Sequence, residues 1–361
     1  MVIYVFNEQL QRIGLLNLYT ALQWNEVWGD SGSFQLWAIF NRENSQLLVS
    51  NNLIWTEEEQ LGVIEVVKKS IDDDGRASIV VSGRFVESKW LGKRIIWGKQ
   101  VEIDQFPSDI VRSLVTNQAI SPADPSRTLS NIVLDPNPEA LGEKVSMTRS
   151  FSNLWVTIRE VCSIDSLDTR LRFNPIESKL YLTVKQGTDR SNSVRISTEL
   201  NDILTSDYKE DSSNFMNTAL VAGRGEDSDR KIVYLNNSNS GLGRNELYVD
   251  ARDLSETDQK GFALDPQVYL DMLYSRGKSR LDEFPTYSEY NTTIRTKGKT
   301  AYIFGVDYFL GDTITIVDNK IGVTLKAQVK GRQRYYDEKG ESVNLTIGIA
   351  LPTITQLLKG R

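Results

Sequence analysis

The sequence predicts a mixed, β-rich α+β fold, on three observations. Near the C-terminus Val323, Leu325, Ala327 and Val329 alternate with Thr324, Lys326 and Gln328; Val343, Leu345, Ile347 and Ile349 repeat the pattern past the turn Asp337-Glu338-Lys339-Gly340. A period of two with one polar face marks half-buried antiparallel strands. Near the N-terminus "IWTEEEQLGVIEVVKKS" (54–70) and "RASIVVSGRF" flank Asp72-Asp73-Asp74-Gly75, and two strand runs around an acidic turn ending in glycine predict a hairpin. Helical spacing is confined to the middle of the chain.

Taken in order, Val2 to Phe6 reads as a first strand and "SFQLWAIF" (33–40) as another before the hairpin. "SDIVRSLVTNQA" (108–119) is a short helix, with Ser108 expected as N-cap after Pro107 and Ile110, Val111, Leu114 and Val115 inside. Residues 119–150 hold four prolines and no sustained period, so a surface connection or extended arm is expected there. In "SNLWVTIREVCSI", Leu154, Trp155, Ile158, Val161 and Cys162 share one helical face. Short strands follow in "LRFNPIESKLYLTV" (171–184), "KIVYLN" and "ELYVDA". "LDPQVYLDMLYSRGKSRLDEF" (264–284) is the longest helix: Asp265 caps it, Pro266 takes the first helical position, and Tyr269, Met272, Leu273 and Arg276 form a stripe. Gly277 should weaken it by about 1 kcal/mol relative to alanine. "YIFGVDYFLGDTITIVDNK" (302–320) reads as two apolar, β-branched runs hinged on Leu310-Gly311-Asp312.

Composition bounds the function. The chain has 361 residues, enough for two or three domains, and a charged share of 25% typical of globular proteins. A net charge of −6 provides no global basic field to grip nucleic acid or anionic lipid. No apolar run approaches the roughly 18 residues of a membrane span, and the N-terminus lacks the basic region and small-residue cleavage site of a secretory signal. There is no histidine, the commonest general base and transition-metal ligand. The single cysteine, Cys162, allows neither an intrachain disulfide nor a Cys-based zinc site, and reads as a buried structural thiol.

The remaining candidates read structurally. "DDDG" at 72–75 lacks the spaced oxygen ligands of a calcium loop. Glu226, Asp227 and Asp229 in "GRGEDSDRK" (223–231) read as a solvated loop. "NNSNSGLGRNE" (236–246), with Gly241 and Gly243, has neither a Walker lysine nor a dinucleotide fingerprint, and reads as a flexible loop that a partner would order. In "KQGTDRSNS" (185–193), Arg190 and backbone N–H groups could hold phosphate; the structural alternative has Asp189 and Arg190 cap a turn with Ser191 and pair locally, and is preferred. Six of the seven tryptophans, Trp24, Trp28, Trp37, Trp55, Trp90 and Trp97, lie in the first hundred residues. An aromatic core is the first reading and a protein or carbohydrate interface the second.

An ordered set of short motifs resembles the siphophage tail-hub family, the N-terminal part of the tail-associated lysin. The set is Trp24…Gly32-x-Phe34, Leu53-Ile54, Gly83-Arg84, Arg94-Ile95-Ile96, Gly187-x-Asp189-Arg190-Ser191, Gly223-x-Gly225, Arg244-x-Glu246 and Tyr308-x-Leu310-Gly311-Asp312. The resemblance implies a fold like the trimeric baseplate hub of T-even phages: two β-barrel-like tube domains, here 1–105 and 286–361. Between them would lie a helix, Pro-rich arm and small α+β insert (106–200) and a mixed segment with the long helix (201–285). The Leu310-Gly311-Asp312 corner then becomes a bend between strands, glycine relieving the backbone and aspartate accepting freed N–H groups.

The function implied is that of a structural virion protein: a homotrimeric ring at the distal end of a phage or prophage-derived tail, made in the host cytoplasm. Its partners would be the distal tail protein ring, the tape measure protein and tail fibre or receptor-binding proteins, with DNA only in transit through the lumen. The chain stops at "PTITQLLKGR", without the extension that carries a peptidoglycan hydrolase or receptor-binding part in many relatives. No enzyme, catalytic residue, cofactor or metal is therefore expected. The alternatives are a tail-tip cell-wall hydrolase using paired carboxylates and a carbohydrate-binding module using the Trp-rich N-terminal part.

Overall fold

The computed structural model describes residues 1–348 except 17, 58–59, 227–228, 259 and 296–298; Ile349 and "PTITQLLKGR" lie outside the described residues. The first region runs through β1 (Ile3–Phe6), β2 (Arg12–Leu16), β3 (Tyr19–Val27), β4 (Asp30–Ile39), α1 (Arg42–Leu47), β5 (Leu53–Trp55), β6 (Gly62–Val63), β7 (Val66–Ile71), β8 (Ala77–Arg84) and β9 (Lys99–Gln105). The run 54–70 is therefore three short strands. The predicted hairpin forms: β7 and β8 pair without a break from Val66↔Ser82 to Ile71↔Ala77. Asp72 Oδ1 accepts the N–H groups of Asp74 and Arg76, at 3.1 and 2.7 Å. Gly75 takes φ +77° at its tip.

The middle of the chain contributes α2 (Pro107–Val115), β10 (Ile132–Leu134), β11 (Val145–Ser150), α3 (Leu154–Ser163), β12 (Leu167–Asn174) and β13 (Lys179–Gln186). Ile110, Val111, Leu114 and Val115 are buried as expected. The predicted cap is displaced: Phe106 holds the N-cap position and Pro107 begins the helix. Ser108 is buried in the first turn, where its Oγ accepts the Leu141 N–H at 2.8 Å and donates to the Glu139 carbonyl. That contact ties down part of the expected arm. Instead of standing off the surface, 119–150 docks twice, β10 running parallel to β13 and β11 antiparallel to β9. Main-chain pairing outweighs the prolines, which lie outside both strands.

Next come β14 (Arg195–Ser197), β15 (Ile203–Asp211), β16 (Thr218–Ala222), β17 (Ile232–Leu235), β18 (Glu246–Asp250) and α4 (Pro266–Leu281). Asp265 caps α4 by accepting the Gln267 N–H at 2.8 Å. Tyr269, Met272 and Leu273 bury against Val221, Leu235 and Val249 of the small sheet. At Gly277 helix and sheet approach closely, since a β-carbon there would lie 2.4 Å from Val221 Cγ2. Its role is packing, which its propensity cost conceals.

The last strands are β19 (Tyr287–Ile294), β20 (Thr313–Asp318), β21 (Val323–Asp337) and β22 (Gly340–Gly348). Residues 302–309 are no strand, contrary to the expected pair of runs: Gly305 at φ +87° folds them into a turn with one bridge, Phe304↔Tyr308. A single antiparallel path, β15-β19-β22-β21-β3-β4-β8-β7, joins the two ends of the chain, with β20 and β14 attached beside β21. The seam is β21 against β3, in the register Arg334↔Trp24. One face of this path is apolar. Trp24 lies fully buried there against Phe85, ring centroids 4.7 Å apart, and Tyr290, Val343, Leu345 and Ile347 continue the core. Truncating a tryptophan in such a site costs about 3–5 kcal/mol.

Candidate functional site

The other face of the long sheet, which also carries Trp37, Tyr335, Asp207 and Glu289, holds a polar row that is uncharged up to its Arg84 end. Reading across the path, the paired positions are Thr205↔Thr293, Thr293↔Asn344, Asn344↔Gln333, Gln333↔Asn25 and Asn25↔Ser33. Directly paired residues project to the same side, so these form one row over six strands. Hydrogen bonds knit it. Thr205 and Thr293 hydroxyls meet at 2.8 Å, Thr293 donates to Asn344 at 2.7 Å, and Asn344 donates to Gln333 at 3.1 Å. Beyond the seam Asn25 takes a bond from Gln23 and gives one to Ser33, both at 3.2 Å. In the neighbouring row Thr346 donates to Asn291 at 2.8 Å. The row ends at Arg84, whose charge is met by both oxygens of Glu65 at 2.7 and 2.8 Å; this pair holds the Glu65 carboxyl below its usual range. The β15–β22 end forms a shallow trough of 440 Å³ lined by Thr205, Asp207, Asn291, Thr293, Gln333 and Thr346.

Such a row hydrogen-bonds with itself, and the charge at its end is paired. It is wettable without being adhesive to a polyanion, because counterion release needs Lys or Arg at the contact.

A second feature holds the sheet in place. The turn between β3 and β4 is clamped by β12: Gly29 N–H donates to Asp168 at 2.8 Å, Arg170 donates to the Val27 carbonyl at 2.6 Å, and Trp28 Nε1 donates to the Ser166 carbonyl at 2.9 Å. Arg170 and Asp168 form a buried pair at 2.5 Å. Close by, Glu87 accepts the Leu171 N–H at 2.8 Å, its carboxyl pushed up by burial. Beside the clamp opens a cleft of 640 Å³ lined by Trp28, Arg159, Phe215, Met216, Asp282 and Lys330, among others. Burial pushes the Lys330 ammonium down to about 8. Among the described residues that line it Asp282 is the one carboxylate, whereas glycoside hydrolysis uses a pair.

The family described as siphovirus ReqiPepy6 Gp37-like protein matches residues 2–349. The chain belongs to that family. Solved structures of similar fold include the tail protein from Neisseria meningitidis MC58, at TM-score 0.55 and 14% identity with 96% of each chain covered. The prophage MuSo2 43 kDa tail protein from Shewanella oneidensis is similar at TM-score 0.57 and 10% identity, over 96% of this chain and 98% of that one. The prophage tail protein gp18 from Listeria monocytogenes EGD-e is similar at 0.53 and 12%, over 99% of both. At these identities the likeness is one of fold. No curated protein matches the chain.

In this Gp37-like chain, two motifs that carried the resemblance meet. Arg190 Nε donates to Asp312 Oδ2 at 2.7 Å, and Asp312 also accepts the N–H groups of Thr188 and Phe309, at 2.8 and 3.0 Å. The Gly-Thr-Asp-Arg-Ser corner is therefore structural, but its arginine pairs across the fold and not locally. Asp189 accepts from Ser191 at 3.0 Å as expected and from Lys326 at 2.8 Å, and both hold its carboxyl low. Leu310-Gly311-Asp312 leads from the turn at 303–308 into β20, a corner between loop and strand.

The other candidates of the Gp37-like sequence stay apart from the polar face. Cys162 is buried, bonded to Thr169 at 3.2 Å, its thiol pushed up to about 12 by burial. The loop 236–246, expected to await a partner, is stapled by its own arginine: Arg244 donates to the Asn239 carbonyl at 2.8 Å and to Glu246 at 2.6 Å. Of the acidic loop 223–231, Asp227 lies outside the described residues. Among the described residues no three acidic or sulfur ligands gather as a metal would require, and no helix is long and apolar enough to cross a membrane. Trp24 and Trp28 are core, Trp55 packs on Phe6 and Phe173, and Trp97 is 63% exposed beneath Arg127. Sequence reading expects polar inward-facing strand positions but does not give the residues of the rows, nor Glu87, Asp168, Arg170 and Lys330. The alternation of small neutral polar residues with apolar ones at 342–346 was the available signal; 205–207 and 291–293 are polar throughout.

Proposed function

We propose that this protein is a structural tail hub: three copies form a ring at the distal end of a phage or prophage-derived tail, and the polar sheet face lines the lumen. The observation that carries this reading is the uncharged polar row that crosses from C-terminal to N-terminal strands without a break at the seam. A conduit for DNA needs a long, wettable surface free of phosphate traps, and such a row meets that need. In this reading 1–105 and 286–361 are the two tube domains, β15 from the 201–285 segment adds a strand to the second, and most of 106–285 packs outside them. The distal tail protein ring and the tape measure protein lie on one side, fibre or receptor-binding proteins on the other, and the protein resides in the virion with no enzymatic role of its own.

Light scattering on the purified chain tests the ring, with an expected mass about three times 40.9 kDa. A strict monomer both alone and inside the particle refutes it.

A further inference from the structure

We propose that the cleft beside the clamp is a binding site for a carboxylate carried on an apolar stem, with Lys330 as the group that receives the carboxylate. Neither the site nor its ligand depends on the ring. The cleft of 640 Å³ opens between the β3–β4 turn, the end of α3, the loop after β15 and the end of α4. Its volume falls in the range of small-molecule sites, about 300–1,000 Å³.

Lys330 is placed there by a break in register. Across β21 and β22, Val329 faces Ile347 and Gly331 faces Thr346, so Lys330 is the extra residue of a bulge. Bulges re-aim a side chain and are common beside functional sites. The Lys330 carbonyl accepts the Trp28 N–H at 2.7 Å, which fixes the bulge against the β3–β4 turn. Its ammonium donates to Ser166 Oγ at 3.2 Å, a neutral partner, and among the described residues no carboxylate forms an ion pair with it. A half-buried ammonium without a counter-ion is costly. Arg159 lines the same cleft. One of its terminal nitrogens meets Asp30 at 3.0 Å, while its buried Nε has no hydrogen-bond partner.

The rest of the lining chooses the body of the ligand. Trp28, Leu167, Phe215, Met216, Leu281 and Pro285 are apolar. A bare inorganic anion would leave these walls wet, and a neutral apolar ligand would leave the ammonium unpaired. The acids nearby do not fill the role. Asp30 is held by Arg159, Asp168 supports the Lys330 charge from its pair with Arg170, and Glu283 is paired with Arg280. Asp282 is exposed on the lining and opposes an incoming anion. Burial holds the Lys330 ammonium at about 8, so the site is charged for its ligand at neutral pH and loses that charge above it.

Calorimetric titration of the full-length chain at pH 7 tests the site with two acids and their amides. One pair is 4-phenylbutyrate and its amide; the other is the peptide acetyl-Ala-Ala-Phe with a free or an amidated C-terminus. Each acid should bind at least about tenfold more tightly than its own amide. The tighter acid tells whether the natural ligand is a small free acid or the terminus of a partner chain. Lys330→Met removes a buried charge and is expected to fold; it should abolish the preference for the acids and leave the amides unchanged. Asp282→Asn should tighten both acids. Raising the pH from 7 to 10 should weaken the acids alone, by up to about tenfold per unit above pH 8. Acids that bind no more tightly than their amides, or a preference that survives Lys330→Met, overturn the proposal.

Discussion

Arg190 Nε lies 2.7 Å from Asp312 Oδ2, across 122 positions of chain. Asp312 is buried, and its carboxylate accepts from Arg190, the Thr188 N–H and the Phe309 N–H. The two chain segments meet as closely as backbone allows. A β-carbon on Gly187 would sit 1.8 Å from the Gly311 carbonyl oxygen, and one on Gly311 would sit 2.3 Å from the Trp28 ring. The glycines permit the approach and the ion pair fixes it.

Removing the acceptor strands three donors at a buried site, where each lost partner costs about 1–3 kcal/mol. Asp312→Ala is expected to destabilise the protein by about 3 kcal/mol or more, read from the urea midpoint. Gly187→Ala should be at least as damaging, because the clash is with backbone. Gly322→Ala is the control: its φ is +70° but nothing lies within 4 Å of the added carbon, so only left-handed strain of about 1–2 kcal/mol remains. Equal losses at Gly187 and Gly322 would show that close approach is not what holds the corner.

What could be read in advance was local. Period-two alternation located β21 and β22, and an acidic turn located the β7–β8 hairpin. Asp265-Pro266 marked the start of α4. What could not be read depended on distance in sequence. The β21–β3 seam joins Arg334 to Trp24 and leaves no trace in either strand. Residues 302–309 have strand composition but follow Gly305 into a turn, and Ser108 looked like a cap because the Leu141 N–H it serves is far along the chain. The β22 part of the polar row alternates visibly at 342–346, but that the rows line up across six strands is a property of register alone.

Gly277 sets helix propensity against packing. Alanine there gains about 1 kcal/mol of intrinsic helix stability. The added carbon meets Val221 at 2.4 Å and Leu235 at 2.7 Å, both buried, and overpacking costs about 1–3 kcal/mol. Packing should win: Gly277→Ala is expected to lower the melting temperature by a few degrees, whereas a stabilised variant would mean that α4 can lift off its sheet freely.

Lys330 makes stability depend on pH in a defined window. Its ammonium is held at about 8 in the fold, against 10.5 ordinarily, because burial penalises the charge, with Asp168 opposing. The folded state therefore binds fewer protons than the unfolded state between pH 8 and 10.5. Stability from this group rises with pH through that window, and the penalty is fully present below pH 8. Lys330→Met should raise the melting temperature at pH 7 and narrow its advantage over wild type as pH approaches 10. A difference that stays constant from pH 7 to 10 would assign the effect to packing and not to charge.

The polar sheet face is the surface whose chemistry the proposed function depends on. Thr205, Thr293, Asn344 and Gln333 carry no charge and satisfy one another, and Arg84 at the end of the row is held by Glu65. With a net charge of −6 behind this face, the wild-type protein should show no measurable duplex-DNA binding at 150 mM salt. Replacing Thr205, Thr293 and Gln333 with lysine changes the chemistry and keeps the strand positions, all three being on the solvent side of the sheet. Each lysine that meets a phosphate releases a counterion, so the logarithm of affinity should fall against the logarithm of salt with a slope of about −0.9 per contact. The triple variant is expected to bind DNA measurably at 50 mM salt and to lose much of that binding by 200 mM. In a reconstituted particle it should slow or stall DNA release while leaving ring assembly intact. Micromolar binding by the wild type at 150 mM salt, or unimpeded release with the lysine variants, would remove the polar face from the path of the DNA.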